Sequence, residues 1–87
     1  MNLLSYKNKL PKIKKNVFLA RGSIIVGDIE IQEKSSVWYN CVLRADVNFI
    51  RVGKKTNIQD GTVIHVSSGG FSATGGSGNP TIIGDNV

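Results

Sequence analysis

The 87-residue chain has one cysteine, one histidine, one methionine, one tryptophan and two prolines, and the first two scarcities each close off a class of explanation. A lone Cys41 excludes an internal disulfide framework. A lone His65 excludes a catalytic zinc site built from the imidazoles of one chain, because such a site needs three protein ligands. No apolar run reaches the roughly 7–15 residues of a signal-peptide core or the about 20 of a membrane-spanning helix, so a cytoplasmic protein without membrane contacts is expected. Acid is missing from residues 1–21, which hold six of the eleven Lys and Arg residues, whereas the rest of the chain sets five bases against six acids. The net charge of +5 therefore belongs to the N-terminal segment. Aromatic residues do not interleave with these bases as a stacking platform would require, so a solvated basic lead-in is favoured over a nucleic-acid surface.

What the chain does have is a period. Leu19, Ile25, Ile31, Val37 and Leu43 recur every six residues, and after a slip of three the series resumes at Val52, Ile58 and Ile64. Four residues after most of these stands a small or β-branched side chain: Ser23, Ile29, Ser35, Cys41, Val47, Thr56 and Thr62. A six-residue period matches neither the 3.6-residue helix nor a two-sided strand, but it does match the hexapeptides of a parallel β-helix. Each hexapeptide is then a short strand and a turn, and three of them make one coil that advances the solenoid by about 4.8 Å.

On this reading residues 1–16 form an extended basic lead-in, with Leu3, Leu4, Tyr6, Leu10 and Ile13 available to cover the first coil. Residues 17–87 form the β-helix domain. The slip places an outward bulge at residues 47–51, and Gly27, Gly53 and Gly84 are expected at corners that need glycine's backbone freedom. Residues 67–80, with five glycines and no charge, read as a flexible loop. No lysine follows Lys55, so this loop is not a P-loop phosphate cradle. Cys41 falls in a small-residue slot and is expected to be a buried, inert thiol. The final hexapeptide stops just after it opens, so the chain is expected to be truncated, or one half of a split protein.

Chemistry-bearing side chains concentrate between Arg44 and His65. His65 follows the inward Ile64 and should therefore point outward. Asn57, Gln59 and Asp60 belong to nearly the same level of the solenoid, where two amides can orient a metal-bound water or a polarised substrate without adding charge. Arg44 and Asp46 lie one coil earlier. Arg44 is placed to reach Asp46 or Asp60, within its own chain or across a subunit boundary, and its planar fork suits carboxylates.

The segments SSVWYNCVLRADVNFIRVGKKTNIQDGTVIHV and PTIIGDNV resemble the gamma-class carbonic anhydrase family, over essentially the whole repeat region. The resemblance implies an all-β, left-handed parallel β-helix and a homotrimer with zinc sites between subunits. It implies that His65 is one of three histidine ligands, that Gln59 and Asn57 serve the active-site polar network, and that Arg44, Asp46 and Asp60 tie subunits together as ion pairs. The reaction implied is hydration of CO2 to bicarbonate. The family's two further ligand histidines, later coils and C-terminal helix would lie beyond Val87, so the 87 residues alone are expected to be inactive and not to retain zinc. An acidic residue that follows the Arg-x-Asp pair in the family is replaced here by Val47. Two other readings remain open: part of a hexapeptide-repeat acyltransferase, and a non-catalytic trimeric scaffold.

Overall fold

The computed structural model of the chain describes residues 3–66 and 81–87. Nine strands occur among them: β1 (Leu3–Leu4), β2 (Lys12–Ile13), β3 (Phe18–Leu19), β4 (Ile24–Ile31), β5 (Ser36–Val37), β6 (Val42–Val52), β7 (Asn57–Ile58), β8 (Val63–His65) and β9 (Thr81–Ile83). Every strand-to-strand pairing is parallel. The described residues contain no helix. The two long strands each turn a corner, so their sheet supplies two walls of a tube. The first wall is β1, residues 24–27, residues 42–45 and β8; the second is β2, residues 29–31, residues 50–52 and β9. The third wall is the sheet β3-β5-β7.

The six-residue count has a direct physical meaning here, because the counted residues stack in register on the inner side of each wall. Ile25, Leu43 and Ile64 are neighbours on the first wall, Ile31, Val52 and Ile83 on the second, and Leu19, Val37 and Ile58 on the third. Ile25, Ile31, Val37 and Leu43 are completely buried. Each such aliphatic contributes about 1.5–3 kcal/mol by leaving water. This all-β, parallel, hexapeptide-repeat solenoid is the fold class that the period implies.

The second series holds the corners together. Ser35 Oγ donates to Gly53 O at 2.6 Å, Thr56 Oγ1 to Gly84 O at 2.7 Å, and Cys41 Sγ to Gln59 O at 2.9 Å, each bond joining one coil to the next. Small hydrogen-bonding side chains suit these slots because a corner carbonyl turned into the tube needs a donor. Cys41 is fully buried, as expected of an inert thiol.

Two expectations require correction. Val47 does not occupy a small-residue slot; it is 48% exposed, and the fully buried Ile50 takes its place. The register passes from Gly27↔Ala45 to Ile29↔Ile50, so the four residues 46–49 stand opposite Asp28 alone, and the bulge with its three extra residues lies at 46–49 rather than 47–51. Both Val47 and Ile50 are apolar and β-branched, so composition alone could not choose between them. The second correction concerns glycine. Of the three corner glycines only Gly27 has a left-handed backbone, with φ of 88°. Elsewhere the left-handed corner position is held by Asn16, Lys34, Lys55 and Asn86 on one edge and by Gly22, Asn40 and Gly61 on another. Gly53 is required for space instead, since a side chain there would overlap Gly84 and the Asp85 carboxylate.

The described part of the lead-in forms β1 and β2, which pair with β4. Leu3 and Ile13 pack against the core, whereas Leu4 and Leu10 are exposed. The glycine-rich loop expected at residues 67–80 lies outside the described residues.

Candidate functional site

His65 ends β8. Its inward neighbour Ile64 packs on the core, and strand alternation turns the imidazole out of the tube. Below it in register stands Arg44, and below that Val26, forming one outward column on the first wall. His65 is exposed, and its carbonyl oxygen accepts a hydrogen bond from Thr81 Oγ1 at 3.0 Å. Paired strands stand about 4.8 Å apart, so the backbone positions of Arg44 and His65 are neighbours in register.

Arg44 Nε lies 3.5 Å from Asp46 Oδ2, with the arginine side chain 56% exposed. Asp46 Oδ1 also accepts the Val47 N–H at 2.9 Å, so this carboxylate opens the bulge. An ion pair this exposed contributes only about 0–1 kcal/mol to stability.

The amides lie elsewhere on the tube. Asn57 is on β7, in the third wall, and its Oδ1 accepts a hydrogen bond from Ser36 Oγ. Gln59 begins the corner that leads from the third wall to the first. Its carbonyl accepts the Thr62 hydroxyl at 2.7 Å and the Cys41 thiol at 2.9 Å, which fixes the corner and leaves the Gln59 side chain exposed. Asp60 is exposed in the same corner, and its carboxylate makes no ion pair among the described residues. Within one chain, then, Arg44 meets Asp46 and stands beside His65. Asp60 does not join them, and Asn57 belongs to a different wall from the histidine.

A larger charged cluster escaped the sequence reading. Arg51 Nη2 lies 3.1 Å from Asp28 Oδ1, its Nη1 donates to Asp28 O at 3.0 Å, and its Nε lies 3.5 Å from Glu30 Oε2. The same guanidinium sits 4.6 Å from the centre of the Phe49 ring. Opposite charges at Glu30 and Arg51, 21 residues apart, were the available signal. It becomes legible only when the three-residue insertion is added to the 18-residue coil.

The residues present in one chain do not fit a zinc centre. No group of three or more His, Cys, Asp or Glu side chains comes together among the described residues. Cys41 is inside the tube and His65 outside it. No helix among the described residues is long and apolar enough to cross a membrane.

Parallel coils with stacked aliphatics inside and short polar corners define a hexapeptide-repeat β-helix. The comparisons agree. The chain is 48% identical over 85 residues to gamma carbonic anhydrase 2, mitochondrial, of Arabidopsis thaliana, covering 98% of this chain and 30% of that protein. It is 51% identical over 75 residues to a protein of Methanocaldococcus jannaschii named "Probable carbonic anhydrase", covering 86% of this chain and 42% of that one. A solved structure of a hexapeptide transferase family protein from Anaplasma phagocytophilum superposes with a TM-score of 0.77 at 39% identity, covering 95% of this chain and 43% of that chain. No family model matches. The chain is a gamma carbonic anhydrase-like hexapeptide-repeat protein, and it spans less than half the length of these relatives.

Proposed function

We propose that these residues carry one share of a carbonic anhydrase-type site that converts CO2 to bicarbonate in the cytoplasm. In this reading His65 is one of three imidazoles that hold a zinc ion, and Gln59 and Asn57 provide the uncharged polar groups that face the substrate. Arg44, Asp46 and Asp60 form ion pairs at a subunit boundary. The observation that carries the reading is the separation of the parts. His65 is exposed on the first wall and Asn57 on the third, and in this reading they meet where walls of two chains face each other. A homotrimer, or a partner chain, supplies that meeting and the further ligands. The 87 residues alone are then inactive and hold zinc weakly.

The test is a chimera in which these residues replace the matching segment of the M. jannaschii relative, assayed for CO2 hydration beside the parent. Hydration by the chimera and its loss in His65→Ala are expected. An active parent with an inactive, well-folded chimera would refute the reading. The family name of the Anaplasma neighbour supports a second reading, acyl transfer with His65 as base. Saturable acetyl-CoA binding that is lost in His65→Ala would favour it.

A further inference from the structure

Asn57 is held by more than its own strand. Ser36, its register partner on β5, donates from Oγ to Asn57 Oδ1 at 2.5 Å, near the short limit for such bonds. Two residues along the same outward face, the indole Nε1 of Trp38 donates to that serine oxygen at 2.9 Å. The indole is itself fixed. Its ring lies 5.0 Å from Phe18 and 6.2 Å from Tyr39 in tilted contacts, and its backbone N–H donates to Ile58 O at 2.8 Å.

The chemistry of the three groups gives this chain a direction. An indole nitrogen can only donate, a hydroxyl donates once and accepts, and an amide offers one end of each kind. With Trp38 donating into the serine oxygen, the Ser36 proton is free for an acceptor, and the Asn57 carbonyl takes it. Were Asn57 turned round, the hydroxyl would receive two donors and its own proton would have no acceptor in the chain. Donation by the indole also polarises the hydroxyl and strengthens the bond it gives.

We propose that Trp38, acting through Ser36, fixes the amide of Asn57 with its carbonyl turned inward along the wall and its NH2 presented outward, so that this position recognises an oxyanion. Trp38 and Ser36 are positioning residues in this scheme, and Asn57 is the group that touches the ligand. The ligand class is a small anion with exposed oxygen acceptors, of which bicarbonate is one. A cationic or donor-only ligand is disfavoured there. The choice of bicarbonate rests on the proposed function; the direction of the relay does not.

The experiment uses the ¹⁵N-labelled 87-residue chain, with the Asn57 side-chain amide signals assigned by their loss in Asn57→Asp. The wild type should give one sharp Asn57 NH2 pair and a Trp38 indole N–H slow to exchange. Ser36→Ala and Trp38→Phe should each shift or broaden the Asn57 pair while the backbone signals of Val37 and Ile58 stay in place, and Ser36→Thr should restore it. Titration with bicarbonate should move the wild-type Asn57 pair, with affinity falling about 3- to 10-fold in Ser36→Ala, the loss expected for one misdirected hydrogen bond. An Asn57 pair identical in wild type and Ser36→Ala would overturn the relay, and this readout also decides the matter if Trp38→Phe does not fold. A relay that behaves as expected in a chain that ignores bicarbonate would overturn oxyanion recognition by Asn57 and leave the relay standing; the proposed function, whose site needs further ligands, is decided by the chimera.

Discussion

Replacing Ser35 with alanine removes one oxygen that serves two coils. The side chain is only 2% exposed, and its Oγ donates to Gly53 O at 2.6 Å while accepting the Thr56 backbone N–H at 3.0 Å. Thr56 is completely buried, so its N–H has no route to water once the hydroxyl is gone. A buried donor left without a partner costs about 1–3 kcal/mol, and the Gly53 carbonyl is orphaned with it. The two losses together, after some relaxation, should destabilise the chain by about 2–4 kcal/mol. Chains of this size have a total stability of roughly 4–13 kcal/mol, so the effect is a large fraction of it. Urea unfolding followed by the single tryptophan, Trp38, and by circular dichroism measures it. Ser36→Ala, one residue away on the outer face, removes the bonds to Asn57 and from the Trp38 indole, whose freed groups can reach water, and should cost only about 0.5–1.5 kcal/mol. A Ser35→Ala variant within about 0.5 kcal/mol of wild type would refute the view that the corner hydroxyls hold the coils together.

Three more outcomes follow from the bulge, the corners and the core. Val47→Asp should change stability by no more than about 0.5 kcal/mol, whereas Ile50→Asp buries an unpaired charge and should prevent cooperative folding; equal effects in urea melts would contradict the register assigned at residues 46–49. Gly27→Ala should cost about 2–4 kcal/mol, because φ is 88° and the new methyl would overlap the Ala45 carbonyl oxygen. The Cys41 thiol should resist maleimide in native buffer and react fully in urea; rapid native labelling would place it outside the tube.

The in-or-out assignment was legible in the sequence because only inward positions of a three-sided coil demand an aliphatic every sixth residue. Ile25, Ile31, Val37 and Leu43 follow that demand without exception. Legibility fails where two residues satisfy the same demand, as Val47 and Ile50 do. It fails again where backbone geometry overrides residue preference. Lys34 and Lys55 adopt φ of 63° and 53°, at a cost of about 1–2 kcal/mol each. Hydrogen bonds between stacked corners, Lys34 N to Lys15 O at 3.3 Å and Lys55 N to Glu33 O at 3.0 Å, hold them there. Of the candidate region, the outward direction of His65 and the spread of Asn57, Gln59, Asp60 and His65 over consecutive strands and corners were readable, whereas the separation this puts between Asn57 and the imidazole within one chain was not. The Arg51 cluster stayed hidden because its partners meet only across coils whose register the bulge has shifted.

The most direct measurement is a zinc titration of the 87-residue chain, followed at the imidazole signals of its only histidine and completed by metal analysis after dialysis. A site assembled from several chains and further ligands predicts weak, reversible binding through His65 that vanishes in His65→Ala and leaves no zinc after dialysis. One zinc per chain surviving dialysis, or binding unaffected by His65→Ala, would contradict it.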